Sequence, residues 1–493
     1  MKDATKIPSD FNKGTLCRRE RVGLALLLLL TLINGLLWSA ATPLWQGPDE
    51  DGHFAATQFV AEHLRLPGHD DGLRADELVL AADLADTGKL HNHPELRQAF
   101  GDRETGPHEA ELRTLDPATR TLYTAGAPGK LNHTSPLYYM LGAGIYRLAY
   151  GADLLGRVFA VRFFSVILTA LMVLASYFLT AEVLPGRHAV ALTVAAMVSF
   201  QPMLSFVGSV VNNDILLNLI TTVAIWLLVR MWRRGITVRR AAILGAALGL
   251  GMLAKPLIAG LALPVAWVFA REWWQRRGER YRVVLLGLVT LVVALILCGW
   301  WQVRSFDLND GEIYMNEVKK GYRVITDPFF DYRGHPWQHT VDYYASIVGG
   351  VWSSYWAAFG WLDTPAAPAY YRAIDAVTLL GLLGLAVYLV RRLHRRAWVE
   401  IGVPLLLIAA ILSPVVMMHV YDYTYWNEYG VGRGLQGRYF FGQMAALFFL
   451  LLAGLLTLLP KRWHEAAHIV LRAGMVVANF YCLLQAVLPR YYL

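Results

Sequence analysis

Residues 18–53 read RRERVGLALLLLLTLINGLLWSAATPLWQGPDEDGH, which is a basic cluster, a long apolar run and then three consecutive acids. A membrane-spanning helix needs about 20 mostly apolar residues, and residues 23–43 supply them. This run is longer than the apolar core of a secretory signal peptide, and similar runs follow it along the chain. We therefore predict a retained first membrane helix, with the three acids at the membrane surface.

The whole chain has the composition of a membrane protein. Of its 493 residues, 56% are hydrophobic and 17% are charged, whereas about a quarter of the residues in soluble domains are charged. Apolar runs recur from end to end and predict an all-α polytopic membrane protein with about 11 transmembrane helices plus interfacial helices. We place the spans at residues 23–43, 163–183, 189–209, 214–231, 241–254, 256–271, 283–301, 373–391, 400–419, 439–459 and 466–488.

Short basic loops orient these spans. Residues 230–240 contain five arginines and no acid, and residues 271–282 and 391–396 are also rich in arginine. Cytoplasmic loops carry such an excess of positive charge. With residues 1–22 as a cytoplasmic N-terminus, all three loops fall on the cytoplasmic side. The net charge of +8 therefore reflects membrane topology, and we expect no nucleic-acid partner.

The rest of the chain, residues 23–493, is predicted to form a single membrane domain. Residues 136–150 are apolar but too short to cross the bilayer, so we predict an interfacial helix there. The first outer loop contains sixteen Asp or Glu residues against eight Lys or Arg, as a soluble helix-forming segment would. The predicted outer loops are residues 46–135, 302–372 and 420–438.

Three consecutive acids, Asp49, Glu50 and Asp51, follow the first predicted helix and open a second one. Two interpretations fit them. An acid before a helix accepts hydrogen bonds from unpaired backbone N–H groups and favours the positive end of the helix dipole, but one acid suffices for that. Alternatively, a carboxylate is positioned as a general base towards an acceptor hydroxyl. His53 lies one turn after Asp49, where it can orient that carboxylate or contact a phosphate.

Several polar residues lie at the predicted outer ends of spans. Lys255 lies at a break between two short apolar runs, and ionisable residues at membrane depth are costly and usually functional. The others are either structural, as interfacial anchors and helix caps, or ligands of a phosphate, which arginine binds through paired hydrogen bonds. These further candidates are Arg162, Asn213, Asp214, Gln436, Arg438 and Tyr439.

Several familiar cofactor and nucleotide signatures are missing from the sequence. It contains no glycine-rich phosphate loop, no G-x-S-x-G motif and no nucleotide-binding domain, which disfavours a nucleotide-sugar donor. The three cysteines offer neither a disulfide framework nor a zinc cluster, and His91 and His93 lack the spacing of zinc ligands. We therefore expect no metal and no cofactor.

Five short motifs together resemble a known class of membrane enzyme. They are PDEDGHF at 48–54, NHTSPLYY at 132–139, RFFS at 162–165, NND at 212–214 and LQGRYF at 435–440. Their order and spacing resemble the GT-C superfamily of membrane glycosyltransferases, and more closely a bacterial family of GT-C-related polytopic membrane proteins. The motifs extend over most of the chain, so the resemblance implies a GT-C-like fold for the whole membrane domain.

The resemblance also implies an activity. GT-C enzymes of this kind move a hexosyl or pentosyl group, with inversion, from a polyprenyl-phosphate donor to a glycan or lipid acceptor of the cell envelope. Their catalytic acid falls on Asp49, with Glu50 as the less favoured bearer. Better-known members have a lysine where this chain has Ser135, so the phosphate role passes to Lys130, His133 or an arginine.

The resemblance implies a bacterial inner-membrane location with the active site facing the periplasm or cell exterior. A transporter or flippase of a lipid-linked sugar is the alternative function, because it would use the same basic residues and need no base.

Overall fold

The computed structural model describes residues 17–68, 71–72, 74–85, 110–124, 134–308, 336–429 and 434–492, and nearly all of them are helical. The first half of the chain contains the helices α1 (Arg18–Ala41), α2 (Glu50–His63), α3 (Asp76–Leu84), a 3₁₀ turn (Pro117–Arg120), α4 (Leu137–Leu148), α5 (Leu154–Val183), α6 (His188–Ser199), α7 (Pro202–Val207), α8 (Asp214–Arg234) and α9 (Val238–Ala254).

The second half begins with a 3₁₀ segment after Lys255. Its elements are that segment (Pro256–Leu261), α10 (Ala262–Gln275), α11 (Arg280–Leu308), α12 (Pro336–Trp356), the strands β1 (Ala358–Phe359) and β2 (Thr364–Pro365), α13 (Pro368–His394), α14 (Trp398–Tyr429), a 3₁₀ helix (Gly437–Gln443), α15 (Met444–Leu458), a 3₁₀ turn (Lys461–Trp463), α16 (His464–Cys482), a π-helical turn (Leu483–Val487) and α17 (Leu488–Tyr491).

The all-α, multi-span prediction is confirmed, with differences in individual spans. Among the described residues, nine helical stretches are long and apolar enough to cross a membrane. The span predicted at 189–209 is instead two helices, α6 and α7. Pro202 lacks a backbone N–H and so favours this break, and the side chain of Gln201 accepts the Leu204 N–H at the start of α7. The predicted span at 241–254 corresponds to α9, which has 17 residues.

The break predicted at Lys255 is confirmed, because α9 ends at Ala254 and a 3₁₀ segment follows. Two predicted outer loops are more helical than expected. Within the described part of 302–372, α12 occupies Pro336–Trp356, and α14 continues through the predicted loop boundary to Tyr429.

The short helix α4 lies where an interfacial helix was predicted. It packs against α2 and buries the Tyr138 and Tyr146 side chains. Its opposite side exposes apolar residues such as Met140 and Leu148, which are 47% and 86% exposed. One buried and one exposed apolar face suit a helix that lies between the protein and the surface of a bilayer.

The helix bundle has two chemically different ends. At one end Glu182 of α5 pairs with Arg234 of α8 at 2.8 Å. The Arg271 side chain donates to the Trp232 carbonyl there at 2.8 Å, and the start of α14 packs on Trp232 through Gly402. The three basic loops therefore meet at this arginine end. The other ends of α5 and α8, with Arg162 and Asp214, lie at the opposite end of the bundle, which we call the site end.

Candidate functional site

Asp49 occupies an unusual backbone position at the start of α2. Its φ and ψ angles are 60° and 13°, in the left-handed region, which aspartate tolerates better than most residues. Although Asp49 stands at the N-cap position, its side chain makes no capping hydrogen bond. The capping interpretation of this acid is therefore wrong, and its carboxylate is directed elsewhere. The loop before it is held by Trp361, which donates to the Trp45 carbonyl at 3.2 Å.

Glu50, the next residue, belongs to a closed ion pair in the protein interior. Its carboxylate accepts two hydrogen bonds of 2.7 Å from Arg162 and one of 3.0 Å from the Val211 N–H. The remaining guanidinium N–H groups of Arg162 are donated to the carbonyls of Ser39, Thr42 and Pro43. A guanidinium has five N–H donors, and all five of Arg162 are occupied.

The same pair is almost completely buried, with exposed side-chain fractions of 0% for Glu50 and 1% for Arg162. Arg162 is thus neither an interfacial anchor nor open to the space above the site. It ties the end of α1 and the start of α2 to α5, which fixes the segment that carries Asp49.

Asp49 belongs to a second network, which reaches open space. Its carboxylate accepts a hydrogen bond of 2.8 Å from Arg438, and its side chain is 53% exposed, whereas that of Arg438 is 4% exposed. Arg438 also lies 3.5 Å from the carboxylate of Asp214, which pairs with Lys255 at 2.5 Å. The order of charges is therefore Asp49, Arg438, Asp214, Lys255, with signs that alternate.

Local structure explains how Asp214 at the start of α8 and Lys255 at the end of α9 are positioned in this network. The Asn212 side chain accepts the Asp214 N–H, the first of α8, at 2.8 Å, and the Asp214 carboxylate binds Lys255. Lys255 is in an extended conformation at the end of α9. Its ammonium lies 4.5 Å from the centre of the Tyr439 ring, a cation–π contact that partly replaces water around the charge.

His53 is packed beneath the same network. Its Nδ1 lies 2.9 Å from the Tyr139 hydroxyl, and the two rings are stacked. Burial lowers the pKa of His53 to about 4, against the opposing effect of the Asp49 and Asp214 charges. His53 is therefore neutral at neutral pH. Tyr139 was not among the residues predicted for the site, although it stands in the NHTSPLYY motif that contributed to the resemblance.

Asp49 is ionised at neutral pH. Partial desolvation on its own raises the pKa of the Asp49 carboxyl, but the nearby positive charges, that of Arg438 above all, outweigh it and leave the pKa below its usual range. The result is a carboxylate that is held by one partner and exposed on its other side.

Other predicted site residues differ in their placement. Tyr439 lies under Lys255, and the Gln436 amide oxygen is buried without a hydrogen-bond partner among the described residues. Asn213 is 1% exposed, and neither its amide nitrogen nor its amide oxygen has such a partner. Lys130 and His133 lie outside the described residues, as do residues 1–16 of the predicted N-terminal segment. Glu50 and Arg162 lie next to the Asp49 network but in their own closed pair.

An apolar groove extends from Met252 and Ile258, which flank Lys255 in sequence, towards the arginine end. Its volume is about 820 Å³, and it is formed by α9, the Pro256–Leu261 segment, α10 and α11. Met252 and Ile258 line it near Lys255, and Trp273 and Val283 line it at the far end. Across the residues that the structure describes, no three His, Cys, Asp or Glu side chains are grouped so that they could hold a metal ion.

The helices that are long and apolar enough to cross a membrane define a multi-pass membrane protein. Its charged site lies at the site end of the bundle. The chain belongs to the family described as "Predicted membrane protein (DUF2142)", whose sequence profile matches residues 32–447. No curated protein matches the chain in sequence.

The structure is similar to three solved structures. One is the oligosaccharyltransferase AglB of Archaeoglobus fulgidus in complex with an inhibitory peptide and a dolichol-phosphate, with 14% identity over 96% of this chain and 56% of that chain and a TM-score of 0.47. A second structure of an A. fulgidus oligosaccharyltransferase, tethered to an acceptor peptide, has 13% identity over 95% of this chain and 55% of that chain, with a TM-score of 0.46. The third is ArnT from Cupriavidus metallidurans bound to undecaprenyl phosphate, with 14% identity, 94% and 73% coverage and a TM-score of 0.42. The chain spans about half the length of the AglB chains.

Proposed function

We propose that the protein is an inverting membrane glycosyltransferase, which moves a sugar from a polyprenyl-phosphate donor to a glycan or lipid acceptor at the outer face of the membrane. The observation that carries this proposal is the Asp49 carboxylate, exposed on one side and held on the other by the buried Arg438. It lies in one network with Lys255, whose sequence neighbours Met252 and Ile258 line an apolar groove. A base, a phosphate ligand and a site for a lipid tail are thus close together.

Lys255 and Arg438 bind the donor phosphate in this proposal. The Lys255 side chain is 27% exposed, and an ammonium has three donors, of which Asp214 takes one. Of the five N–H donors of Arg438, two make hydrogen bonds among the described residues, to the Pro48 carbonyl and to Asp49. Both cations therefore have capacity for a further anion. Because every donor of Arg162 is occupied, we assign Arg162 to positioning the Asp49 segment through Glu50 rather than to the phosphate.

The polyprenyl tail occupies the groove between α9, α10 and α11. Its lining is apolar, so a hydrocarbon chain there would gain the usual free energy of burial. Met252 and Ile258 flank Lys255 in sequence and line the near end of the groove. A lipid with its phosphate at Lys255 can therefore place its tail along this surface without burying a charge.

Asp49 is the general base. The acceptor hydroxyl attacks the anomeric carbon from the face opposite the phosphate, and its proton passes to the carboxylate. The bond between the anomeric carbon and the phosphate oxygen breaks, and polyprenyl phosphate leaves with both electrons of that bond. Phosphate is already a good leaving group, so the protein contributes mainly positioning and electrostatic stabilisation.

The site end faces away from the cytoplasm. The supporting observation is that the three arginine-rich loops meet at the opposite end of the bundle, and such loops remain in the cytoplasm. In a bacterial inner membrane the site would face the periplasm or cell exterior, where a lipid-linked donor replaces the nucleotide sugars of the cytoplasm.

The test is the substitution Asp49→Asn in the purified protein, assayed with a polyprenyl-phosphate sugar and a crude envelope acceptor. Asparagine is nearly isosteric and can still accept the hydrogen bond from Arg438, but it cannot take up a proton. We expect sugar transfer to fall by about 10²-fold or more, while binding of the donor lipid, measured separately, is retained.

Asp51→Asn is the matched control. Asp51 is an acid of the same motif, but it pairs with Arg74 on a different side of α2, so its loss should leave transfer within a few-fold of wild type. Wild-type transfer by Asp49→Asn would contradict the carboxylate mechanism. Transport of a lipid-linked sugar would then be the better explanation of the cationic site.

A further inference from the structure

A small polar cavity lies at the site end, apart from the Asp49 network. Its volume is about 160 Å³, and it lies between α3, the 3₁₀ turn Pro117–Arg120 and the loop that joins α4 to α5. Glu77, Arg120 and Arg157 line its interior, and Arg113 and Gly151 line it on the exposed side. Nothing in the proposed transfer reaction uses these residues.

Two buried guanidinium groups share one carboxylate in this cavity. Arg157 pairs with Glu77 through hydrogen bonds of 2.5 and 3.1 Å, and both side chains are at most 1% exposed. Arg120, whose side chain is 11% exposed, lies 3.6 Å from the same carboxylate, which is too far for a hydrogen bond. The nearby Glu62 is already an acceptor for the hydroxyls of Tyr146 and Tyr150. Glu77 thus makes hydrogen bonds to Arg157 and none to Arg120, which has no other carboxylate within ion-pair distance among the described residues.

The donors of Arg120 are also poorly matched. One hydrogen bond of 3.2 Å goes from its Nη1 to the Tyr150 carbonyl. Its buried Nε faces Glu77 at 3.6 Å, and its Nη2 makes no hydrogen bond among the described residues. A buried charge with unmet donors costs several kcal/mol unless another group completes its bonding. An anion in the adjoining cavity would supply acceptors for the Nη groups of Arg120.

We propose that this cavity binds an oxyanion, the carboxylate or phosphate group of a ligand, with Arg120 as its partner. The guanidinium of Arg120 has the planar pairs of N–H donors that suit such oxygens. The anion would enter on the side of Gly151, which is exposed, and where a side chain would meet nothing within 4 Å.

The anion is either free in solution or an acidic substituent of the acceptor. The cavity is linked to α2, because Gln58 donates to Glu77 at 2.7 Å. Gln58 is nine residues after Asp49, about 13 Å along a helix. An extended acceptor could therefore reach both places. This second source rests on the proposed glycosyltransferase function, whereas binding of the anion itself does not.

The first experiment measures binding of inorganic phosphate to the purified full-length protein by its thermal stability, at constant ionic strength with chloride as the reference ion. We expect a saturable rise in Tm for wild type and for Arg147→Gln. Arg147 packs on the Tyr150 ring, as Arg120 does, but it does not line the cavity. Arg120→Gln should bind phosphate at least tenfold more weakly, since a charge-assisted hydrogen bond is lost.

A second pair of variants covers the possibility that Arg120→Gln does not fold. Gly151→Asp places a negative charge at the exposed side of the cavity without a steric clash, so it should also abolish the phosphate effect. Gly278→Asp, at an equally open position of the arginine end, should not. The proposal is wrong if wild type shows no saturable effect of phosphate over chloride, or if Gly151→Asp and Arg120→Gln respond as wild type does.

Acceptor fractions separate the two sources of the anion. If the anion belongs to the acceptor, Gly151→Asp should raise the KM for acidic envelope glycans at least tenfold and leave that for neutral ones unchanged. An equal response to both fractions would assign the cavity to a free anion. Absence of any transfer would contradict the proposed function alone, because the phosphate measurement does not depend on it.

Discussion

Asp49 and Glu50 are neighbours in sequence, but their carboxylates lie in two different ionic networks. Glu50 and Arg162 form a closed pair in which every guanidinium donor has an acceptor and neither side chain reaches solvent. The network of Asp49, Arg438, Asp214 and Lys255 is open: its end members are 53% and 27% exposed. Arg438 Nε has no hydrogen-bond partner among the described residues.

The difference separates structural charges from functional ones. A buried ion pair whose hydrogen bonds are complete fixes a conformation and has nothing left to offer a ligand. Unmet donors beside an exposed carboxylate cost stability in the free protein, so their retention favours a functional role. Each of the following predictions perturbs a residue of one of these networks or a residue packed against it.

The largest effect is expected for the closed pair. Glu50→Gln leaves the buried Arg162 charge without a counterion, and breaking such a pair typically costs about 3–5 kcal/mol. Thermal unfolding of the purified protein should show a large loss of stability. Asp51→Asn, whose partner Arg74 is 45% exposed, should cost no more than about 1 kcal/mol. A stable Glu50→Gln protein with impaired transfer would move the functional carboxylate to Glu50.

Much of the fold follows from local sequence. Apolar runs of about 20 residues predict helices because a membrane leaves the backbone few alternatives, and the position of Lys255 before Pro256 correctly predicts a break. The division of 189–209 into α6 and α7 was missed, although Pro202 was a signal for it. Its stabilising contact joins Gln201 to the Tyr355 carbonyl, which is far away in sequence.

The candidate site was only partly predictable, for the same physical reason. Acids after the first helix and cations at the outer ends of spans could be identified from the sequence. Their division into two networks depends on pairings such as Glu50 with Arg162, which are 112 residues apart. Periodicity carries no information on such pairs. The Glu77 and Arg157 cluster was missed because nothing in its local sequence distinguishes it from surface charge.

A smaller effect is expected for His53, beneath the open network. Burial lowers its pKa to about 4, from the usual 6.5 of a histidine. Between these values the unfolded chain binds a proton that the folded protein excludes, so stability falls as the pH falls through this window. The full loss would be about 3 kcal/mol at pH 4.

His53→Gln cannot gain that proton in either state. Wild type should therefore lose more stability than His53→Gln when the pH is lowered from 7 to 4, measured by chemical or thermal unfolding of both proteins under identical conditions. A stability difference between the two that stays constant across this window would show that His53 is not held neutral in the folded protein.

The smallest effect is expected at Lys255, at the other end of the open network. There, stability and ligand binding can be measured separately. Lys255→Met removes a proposed phosphate ligand, and binding of a polyprenyl phosphate should weaken about tenfold or more. It also leaves the Asp214 carboxylate, which is 3% exposed, with only the more distant Arg438 as a counterion. The double variant Lys255→Met with Asp214→Asn removes that buried charge and should recover stability, but it should not recover lipid binding. Recovery of both would mean that Lys255 serves only to neutralise Asp214, and the open network would then be as structural as the closed one.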